Sequence, residues 1–175
     1  MIRKTTQQDI PAIMEIVKEA QASLKVLGIS QWQNGYPNEE AFEADIKNGI
    51  SYVLEEQGKI IATTAISFAG EPTYKEIYDG TWLTDKESYG LIHRIAVKET
   101  CKRGGYAGKL IGYAAELAKG QGIRSLRIDT HEGNLPMRSF LKKQGFAECG
   151  IIYLNERKAK EDRRVAYEKK LSGNK

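Results

Sequence analysis

Cysteine and histidine are scarce in this chain of 175 residues, which contains two of each. Cys101 and Cys149 form neither a C-x-x-C pair nor a disulfide framework. Two histidines, His93 and His131, do not suggest a dedicated zinc site. The sequence therefore predicts a protein that works without a bound metal ion.

Long apolar runs are also lacking. No stretch approaches the length needed to span a bilayer, and residues 1–6 lack the apolar segment of a signal peptide. We therefore expect a cytoplasmic protein that does not use a membrane.

The excess of positive charge is small, at +4 from 27 basic and 23 acidic residues. A nucleic-acid-binding protein usually concentrates its positive charge on one stripe. The basic residues near the C-terminus alternate with acidic ones: Arg157, Lys158, Lys160, Arg163 and Arg164 are interleaved with Glu156, Glu161 and Asp162. This pattern indicates a solvated connection of mixed sign, and no nucleic-acid partner is expected.

The length fits one domain, residues 1–175, with a sizeable core. Apolar periodicity predicts helices near residues 10–20, 39–47, 106–120 and 135–144. It predicts strands at residues 2–5, 50–55, 60–68, 91–97, 125–130, 146–154 and 164–170. Residues 28–38 and 70–89 are expected to be irregular. Because strands and helices alternate only in the second half, we predict an α/β (α+β) fold with a mixed sheet.

A glycine-rich segment joins the strand at 91–97 to the helix at 106–120. It consists of Lys102, Arg103, Gly104, Gly105, Tyr106, Ala107 and Gly108. Glycine lets the backbone approach an anion, and a helix N-terminus adds partial positive charge. The spacing fits neither G-x-x-x-x-G-K-[ST] nor G-x-G-x-x-G. From the residues alone, the segment is either a phosphate-binding loop or a tight turn that binds nothing.

Residues 91–110 read L-I-H-R-I-A-V-K-E-T-C-K-R-G-G-Y-A-G-K-L. They resemble the acetyl-CoA motif of the GNAT acetyltransferase superfamily, in which an apolar strand precedes [QR]-x-x-G-x-[GA] and an amphipathic helix. Lys102 stands where Gln or Arg is usual, and Gly105 and Ala107 take the two small positions.

A second stretch that resembles a family motif follows at the expected distance, and it consists of Asn134, Met137, Gly145 and Phe146. The resemblance implies a GNAT-type fold, with a mixed, mostly antiparallel central sheet of about seven strands flanked by about four helices.

The resemblance also implies transfer of an acetyl group from acetyl-CoA, as co-substrate, to a primary amine in a ternary complex. The acceptor could be a small amine, an amino acid, or a peptide or protein N-terminus. The alternative is an acyl-CoA sensor or pseudoenzyme without transfer activity. A homodimer is compatible with either.

By the same resemblance, backbone groups of Ile95, Ala96 and Val97 contact the cofactor, together with the loop from Lys102 to Gly108. Asn134 matches an asparagine that contacts the pantetheine arm. Asn134 also fits the N-cap of the helix that begins near Leu135, and it could do both.

The general acid is the point at which the sequence departs from the family. Many members carry a tyrosine four residues before the glycine of the Gly-Phe pair, and this chain has Leu141 there. Either the thiolate leaves without direct protonation or through water, or another group serves. Tyr153 is a candidate substitute, and the alternative is that it is an ordinary strand aromatic.

Three residues are candidates for proton transfer or for contact with the acceptor. His93 alternates with Ile95 and Val97, and histidine is a residue type that can act as a general base near neutral pH. Asp129 and His131 lie at the end of the strand at 125–130, Asp129 as a further catalytic candidate and His131 as an acceptor contact. A core histidine, an ion pair of Asp129 with Arg94 or Arg127, and a base acting through water remain alternatives.

Aromatic residues in the two irregular segments could form the acceptor pocket. Trp32 and Tyr36 are the leading candidates, with Tyr78 and Trp82 in the later segment. Aromatic walls suit the aliphatic part of an amine and can hold a cation. The alternative is a small satellite core beneath the loops.

Overall fold

The computed structural model describes residues 1–85 and 88–172. Lys86 and Glu87 of the predicted irregular segment, and the last three residues of the predicted domain, lie outside the described residues. The strands are β1 (Ile2–Lys4), β2 (Ser51–Glu56), β3 (Lys59–Ser67), β4 (Gly90–Val97), β5 (Ser125–Thr130), β6 (Ala147–Tyr153) and β7 (Arg163–Lys170). The α-helices are α1 (Ile10–Val26), α2 (Glu39–Lys47), α3 (Tyr106–Gly120) and α4 (Leu135–Lys143).

The seven described strands form one sheet in the order β1-β2-β3-β4-β5-β7-β6. Antiparallel pairing joins β1 to β2, β2 to β3, β5 to β7 and β6 to β7. β4 and β5 are parallel, with Gly90 opposite Leu126 and Leu91 opposite Arg127. The predicted mixed, mostly antiparallel sheet with four helices is therefore confirmed.

Local sequence signals account for the helix boundaries. Asn38 caps α2, because its side-chain oxygen accepts a hydrogen bond of 3.0 Å from the Ala41 N–H. Glu39 and Glu40 occupy the first turn and Lys47 the last, as the helix dipole favours. Among the described residues, no helix has both the length and the apolar character that crossing a membrane requires.

The chain forms two compact units. The first consists of Met1–Ile66 and Ile92–Tyr113, and the second of Ser67–Leu91 and the residues from Ala114 onward. In the first unit, one buried cluster joins α1 and α2 to β2 through Ile13, Val17, Phe42 and Val53. A second cluster joins β2 and β3 to α3 through Leu54, Ile61, Ala62 and Leu110.

In the second unit, the segment before β4 packs on the sheet. It contains a short 3-10 helix, Pro72–Tyr74, and it contributes Tyr74 to a buried cluster with Leu91, Ile152 and Ala166. Tyr78 pairs with Ile151 of β6 through two backbone hydrogen bonds of 2.8 Å. The described part of the segment predicted to be irregular, residues 70–85 and 88–89, is thus packed against this unit through Tyr74, Tyr78 and Tyr89.

One ion pair in the first unit predicts a pH-dependent stability. The guanidinium of Arg3 donates hydrogen bonds of 2.7 and 2.9 Å to the Asp9 carboxylate and holds its pKa at about 2, below the ordinary 3.8. The lowered pKa stabilises the fold above about pH 4, and this contribution is lost as the pH falls towards 2. Asp9→Asn should lower the free energy of unfolding by about 2 kcal/mol near pH 6 and by much less near pH 2, as measured by urea denaturation. An equal cost at both pH values would contradict this assignment.

Candidate functional site

The glycine-rich segment of the first unit forms a tight loop between β4 and α3. Arg103 and Gly105 have positive φ angles of 66° and 79°. A Cβ on Gly104 would lie 2.5 Å from the Tyr106 ring and 3.1 Å from the Cys101 carbonyl oxygen. Glycine is therefore required at Gly104 for space, and Gly105 has a conformation that favours glycine.

The start of α3 presents backbone donors at the same loop. The Lys109 N–H donates the first intrahelical hydrogen bond, 3.1 Å to the Gly105 carbonyl. The N–H groups of Tyr106, Ala107 and Gly108 precede that bond, so the helix itself gives them no acceptor. These donors and the positive end of the helix dipole fit an anionic group such as a phosphate.

Both lysine side chains at the loop have contacts within the first unit. The Lys102 ammonium forms an ion pair with Glu99 and a hydrogen bond of 3.2 Å to the Ser23 hydroxyl. The hydrogen bond from Lys102 lowers the pKa of Glu99. The Lys109 ammonium lies 4.9 Å from the centre of the Tyr106 ring. Because Glu99 already offsets Lys102, the backbone donors are the better-defined part of the anion site.

Tyr106 is fixed at both ends of its side chain. Its ring packs against the cluster that contains Leu54, Ile61 and Leu110. Its hydroxyl donates a hydrogen bond of 2.5 Å to the Glu56 carboxylate, which raises the pKa of the phenol. The loop and the first turn of α3 are thus tied to β2.

The backbone of β4 departs from extended geometry at Arg94, which has a φ of 50°. Positive φ is uncommon for a residue other than glycine, and within a strand it is typical of a bulge. The side chains of Ile95 and Val97 pack against the core. The positive φ of Arg94 departs from the extended geometry on which the predicted alternation of His93 with Ile95 and Val97 depends. The His93 carbonyl accepts a hydrogen bond of 3.2 Å from the Thr64 hydroxyl.

The side chain of Arg94 links three segments of the first unit. Its guanidinium donates to both carboxylate oxygens of Asp45 in α2, at 2.8 and 2.7 Å. It also donates 2.5 Å to the hydroxyl of Tyr36. The proposed alternative that Arg94 pairs with Asp129 is therefore wrong. Sequence reasoning missed Asp45, since nothing in the sequence relates α2 to β4.

The four aromatic candidates for the acceptor pocket divide between the units. In the first unit, Trp32 is half-buried with a φ of 64°, and Tyr36 is 45% exposed. In the second, the Trp82 N–H donates 3.0 Å to the Tyr74 carbonyl. Trp82 also packs against the buried cluster that contains Tyr74 and Leu91. Tyr78 stacks edge-on with Tyr153, their ring centres 5.6 Å apart.

Asp129 of β5 accepts a hydrogen bond of 2.6 Å from the Tyr74 hydroxyl. Burial and the negative charge of Asp129 raise the pKa of Tyr74 well above its ordinary value, so Tyr74 remains the donor. The alternative pairing of Asp129 with Arg127 is wrong, because Arg127 forms its ion pair with Glu168 at 3.1 Å. Tyr74 is the partner that sequence reasoning missed.

His131 follows β5 directly. Its Nδ1 accepts a hydrogen bond of 3.0 Å from the Gly133 N–H, so the proton of the neutral ring lies on Nε2. Burial and the charge of Arg164 lower the pKa of His131. The neutral ring is the favoured form, with Nε2–H as a donor.

Asn134 is the N-cap of α4, since its Oδ1 accepts a hydrogen bond of 3.2 Å from the Met137 N–H. The amide nitrogen of Asn134 has no hydrogen-bond partner among residues 1–85 and 88–172. Leu141, at the position of the usual family tyrosine, is fully buried in α4. Tyr153, at the end of β6, is half-buried against Tyr78.

Comparison with known proteins assigns the family. The profile of the acetyltransferase (GNAT) family matches residues 13–146, which include the loop, Asn134 and Leu141. The chain belongs to the GNAT acetyltransferase family and is an acyltransferase.

Individual relatives agree with this assignment. A GNAT family acetyltransferase from Streptococcus agalactiae 2603 is 33% identical with a TM-score of 0.86, and the match covers 98% of this chain and 95% of that one. A provisionally assigned acetyltransferase from Staphylococcus aureus Mu50 is 28% identical with a TM-score of 0.73, over 98% and 99% of the two chains. The provisionally named phosphinothricin acetyltransferase YwnH of Bacillus subtilis (strain 168) is 26% identical over 153 residues, 86% of each chain.

Proposed function

We propose that the protein transfers an acetyl group from acetyl-CoA to a primary amine. The observation that carries this proposal is the loop from Lys102 to Gly105. Its left-handed residues and the free N–H groups that begin α3 suit the pyrophosphate of a coenzyme A thioester. Membership of the GNAT acetyltransferase family also supports the proposed acetyl transfer.

Two further groups are proposed to hold the cofactor. The backbone of Ile95, Ala96 and Val97 follows Arg94, whose positive φ is typical of a bulge, and a bulge leaves backbone groups that can bond to a ligand. Asn134 uses its oxygen as a helix cap, which leaves its amide nitrogen as a donor for the pantetheine arm.

The reaction needs few protein groups. The thioester of acetyl-CoA supplies an electrophilic carbonyl carbon and a thiolate leaving group. The amine nitrogen forms a bond to that carbon, the carbon–sulfur bond breaks, and the amine proton passes to a base. His93 or Asp129 is proposed as this base. Leu141 cannot protonate the departing sulfur, so water or Tyr153 is proposed to supply the proton.

The acceptor is proposed to contact Trp32, Tyr36 and His131. Tyr36 is held by Arg94, and His131 offers an Nε2–H donor in its neutral form. Aromatic surfaces would contact the aliphatic part of the amine.

Calorimetric titration tests the cofactor half of the proposal. Acetyl-CoA should bind with a dissociation constant between about 1 µM and 1 mM, and free coenzyme A should compete. Absence of heat at millimolar acetyl-CoA would contradict the proposal. If acetyl-CoA binds but no amine causes release of thiol, the result would favour the alternative of an acyl-CoA sensor or pseudoenzyme without transfer activity.

The general base can be identified with two variants. Asp129→Asn and His93→Gln should differ in kcat. The variant that lacks the general base should have a kcat about 100- to 10,000-fold lower, and the inflection due to the base should be missing from its pH–rate profile. Thiol release at saturating acetyl-CoA measures both effects, and the dissociation constant of acetyl-CoA should remain unchanged. Full activity of both variants across the pH range would eliminate both candidates and point to a base acting through water alone.

A further inference from the structure

Arg164 of β7 is a buried arginine without an ion pair in the part of the chain that the structure describes. It is 6% exposed, and its Nη1 donates to the backbone carbonyls of Glu161 and Arg163, at 2.7 and 2.9 Å. Within residues 1–85 and 88–172, no carboxylate forms an ion pair with it. Arg127, the other buried arginine of the second unit, has Glu168 as its partner.

This arrangement is costly unless a ligand supplies the missing charge. A guanidinium stays protonated in proteins, and burial without a paired carboxylate removes its hydration, which the two backbone carbonyls replace only at Nη1. Burial lowers the pKa of Arg164, and the charges of Asp129 and Asp162 oppose the shift only in part. Nε and Nη2 of Arg164 form no hydrogen bond with the described part of the chain. The edge of the planar guanidinium that carries these two nitrogens therefore has no acceptor there.

Arg164 faces the candidate catalytic residues of the second unit. Asp129 of β5 lies opposite Ala166 of β7, and Arg164 is two residues from Ala166, so Arg164 and Asp129 share one face of the sheet. The charge of Arg164 also acts on His131, just beyond the end of β5. A guanidinium and a carboxylate that Tyr74 holds in position therefore lie on one face, close to the end of β5.

We propose that Arg164 binds an anionic group of the acceptor, a carboxylate or a similar oxyanion, while the amine of the same molecule is directed towards Asp129. The acceptor is then an amine that carries an acidic group, as an amino acid does. The free edge of the guanidinium matches the two oxygens of such a group. This inference rests on the proposed acetyl transfer and narrows its substrate class.

The test compares matched amines in the wild-type enzyme. Thiol release is measured for amino acids and for the amines of the same side chain that lack the carboxylate. We expect kcat/KM to be about 100-fold or more higher for the amino acids, because a site built for a polar group rejects analogues without it. Equal use of both members of each pair would overturn the inference and leave the proposed acetyl transfer standing.

Variants assign the effect to Arg164. Arg164→Met should raise KM for amino acids about 100-fold, with little change for the decarboxylated amines or for acetyl-CoA. Arg164→Lys should raise KM for amino acids less than Arg164→Met does, because lysine keeps the positive charge but cannot donate two parallel hydrogen bonds to a carboxylate. Arg157→Met, an exposed arginine nearby in sequence, is the control and should behave as wild type. An equal loss with both classes of amine would make Arg164 a structural residue and overturn the inference.

A binding measurement remains decisive if no amine releases thiol, an outcome that would contradict the proposed transfer. Amino acids at millimolar concentration should then still raise the melting temperature of the wild type and leave that of Arg164→Met unchanged. No difference between the two proteins would overturn the anion site as well.

Discussion

Replacing Gly104 with alanine is expected to weaken acetyl-CoA binding about 100-fold, which corresponds to losing two charge-assisted hydrogen bonds of roughly 1.5 kcal/mol each. The added methyl group would meet the Tyr106 ring at 2.5 Å. That ring cannot move freely, because it packs on the core and its hydroxyl is bonded to Glu56. The loop must therefore shift, and its donors move with it. Calorimetric titration of the variant with acetyl-CoA measures the loss.

Gly112 of α3 supplies the matched control. A Cβ at Gly112 meets nothing within 4 Å, and its backbone has ordinary helical φ. Gly112→Ala should bind acetyl-CoA as the wild type does and raise the free energy of unfolding by roughly 0.5–1 kcal/mol. If Gly104→Ala also bound acetyl-CoA normally, the loop would not be the cofactor site.

Glu168→Gln should lower the free energy of unfolding by about 3–5 kcal/mol, the usual cost of leaving a buried charge without its partner. Glu168 is completely buried and accepts hydrogen bonds from Arg127 at 3.1 Å and from the Leu83 N–H at 2.7 Å. Burial alone would raise its pKa, but hydrogen bonds from Thr84 and the charge of Arg127 hold the pKa below its ordinary value. Urea denaturation near neutral pH measures the effect.

The same substitution on the surface is the control. Glu116 is paired with Lys119 along α3 but is largely exposed, and Glu116→Gln should change the free energy of unfolding by less than about 0.5 kcal/mol. Similar small effects at Glu168 and Glu116 would contradict the view that Glu168 anchors the segment before β4 on β7.

The secondary structure was predictable because its signals are local. The predicted boundaries of α2 and α3 coincide with the observed Glu39–Lys47 and Tyr106–Gly120. Caps and apolar periodicity specify such elements from neighbouring residues. The loop from Lys102 to Gly105 was found for the same reason, since its glycines and the following helix are adjacent in sequence.

The partners of the candidate site residues were not predictable, because they are distant in sequence. Asp45 and Arg94 are 49 positions apart, and Tyr74 and Asp129 are 55 apart. The positive φ of Arg94 within β4 was not predictable either, since arginine has no special preference for positive φ. The organisation of residues 1–175 as a single domain stays a prediction.

Mass analysis of the reaction of the purified protein with acetyl-CoA and an amino acid tests the proposed acetyl transfer. We expect N-acetylated amino acid and free coenzyme A in a one-to-one ratio, with loss of both products in Gly104→Ala at limiting acetyl-CoA. Release of coenzyme A without any acetylated amine, or no consumption of acetyl-CoA with any amine, would contradict the proposed transfer.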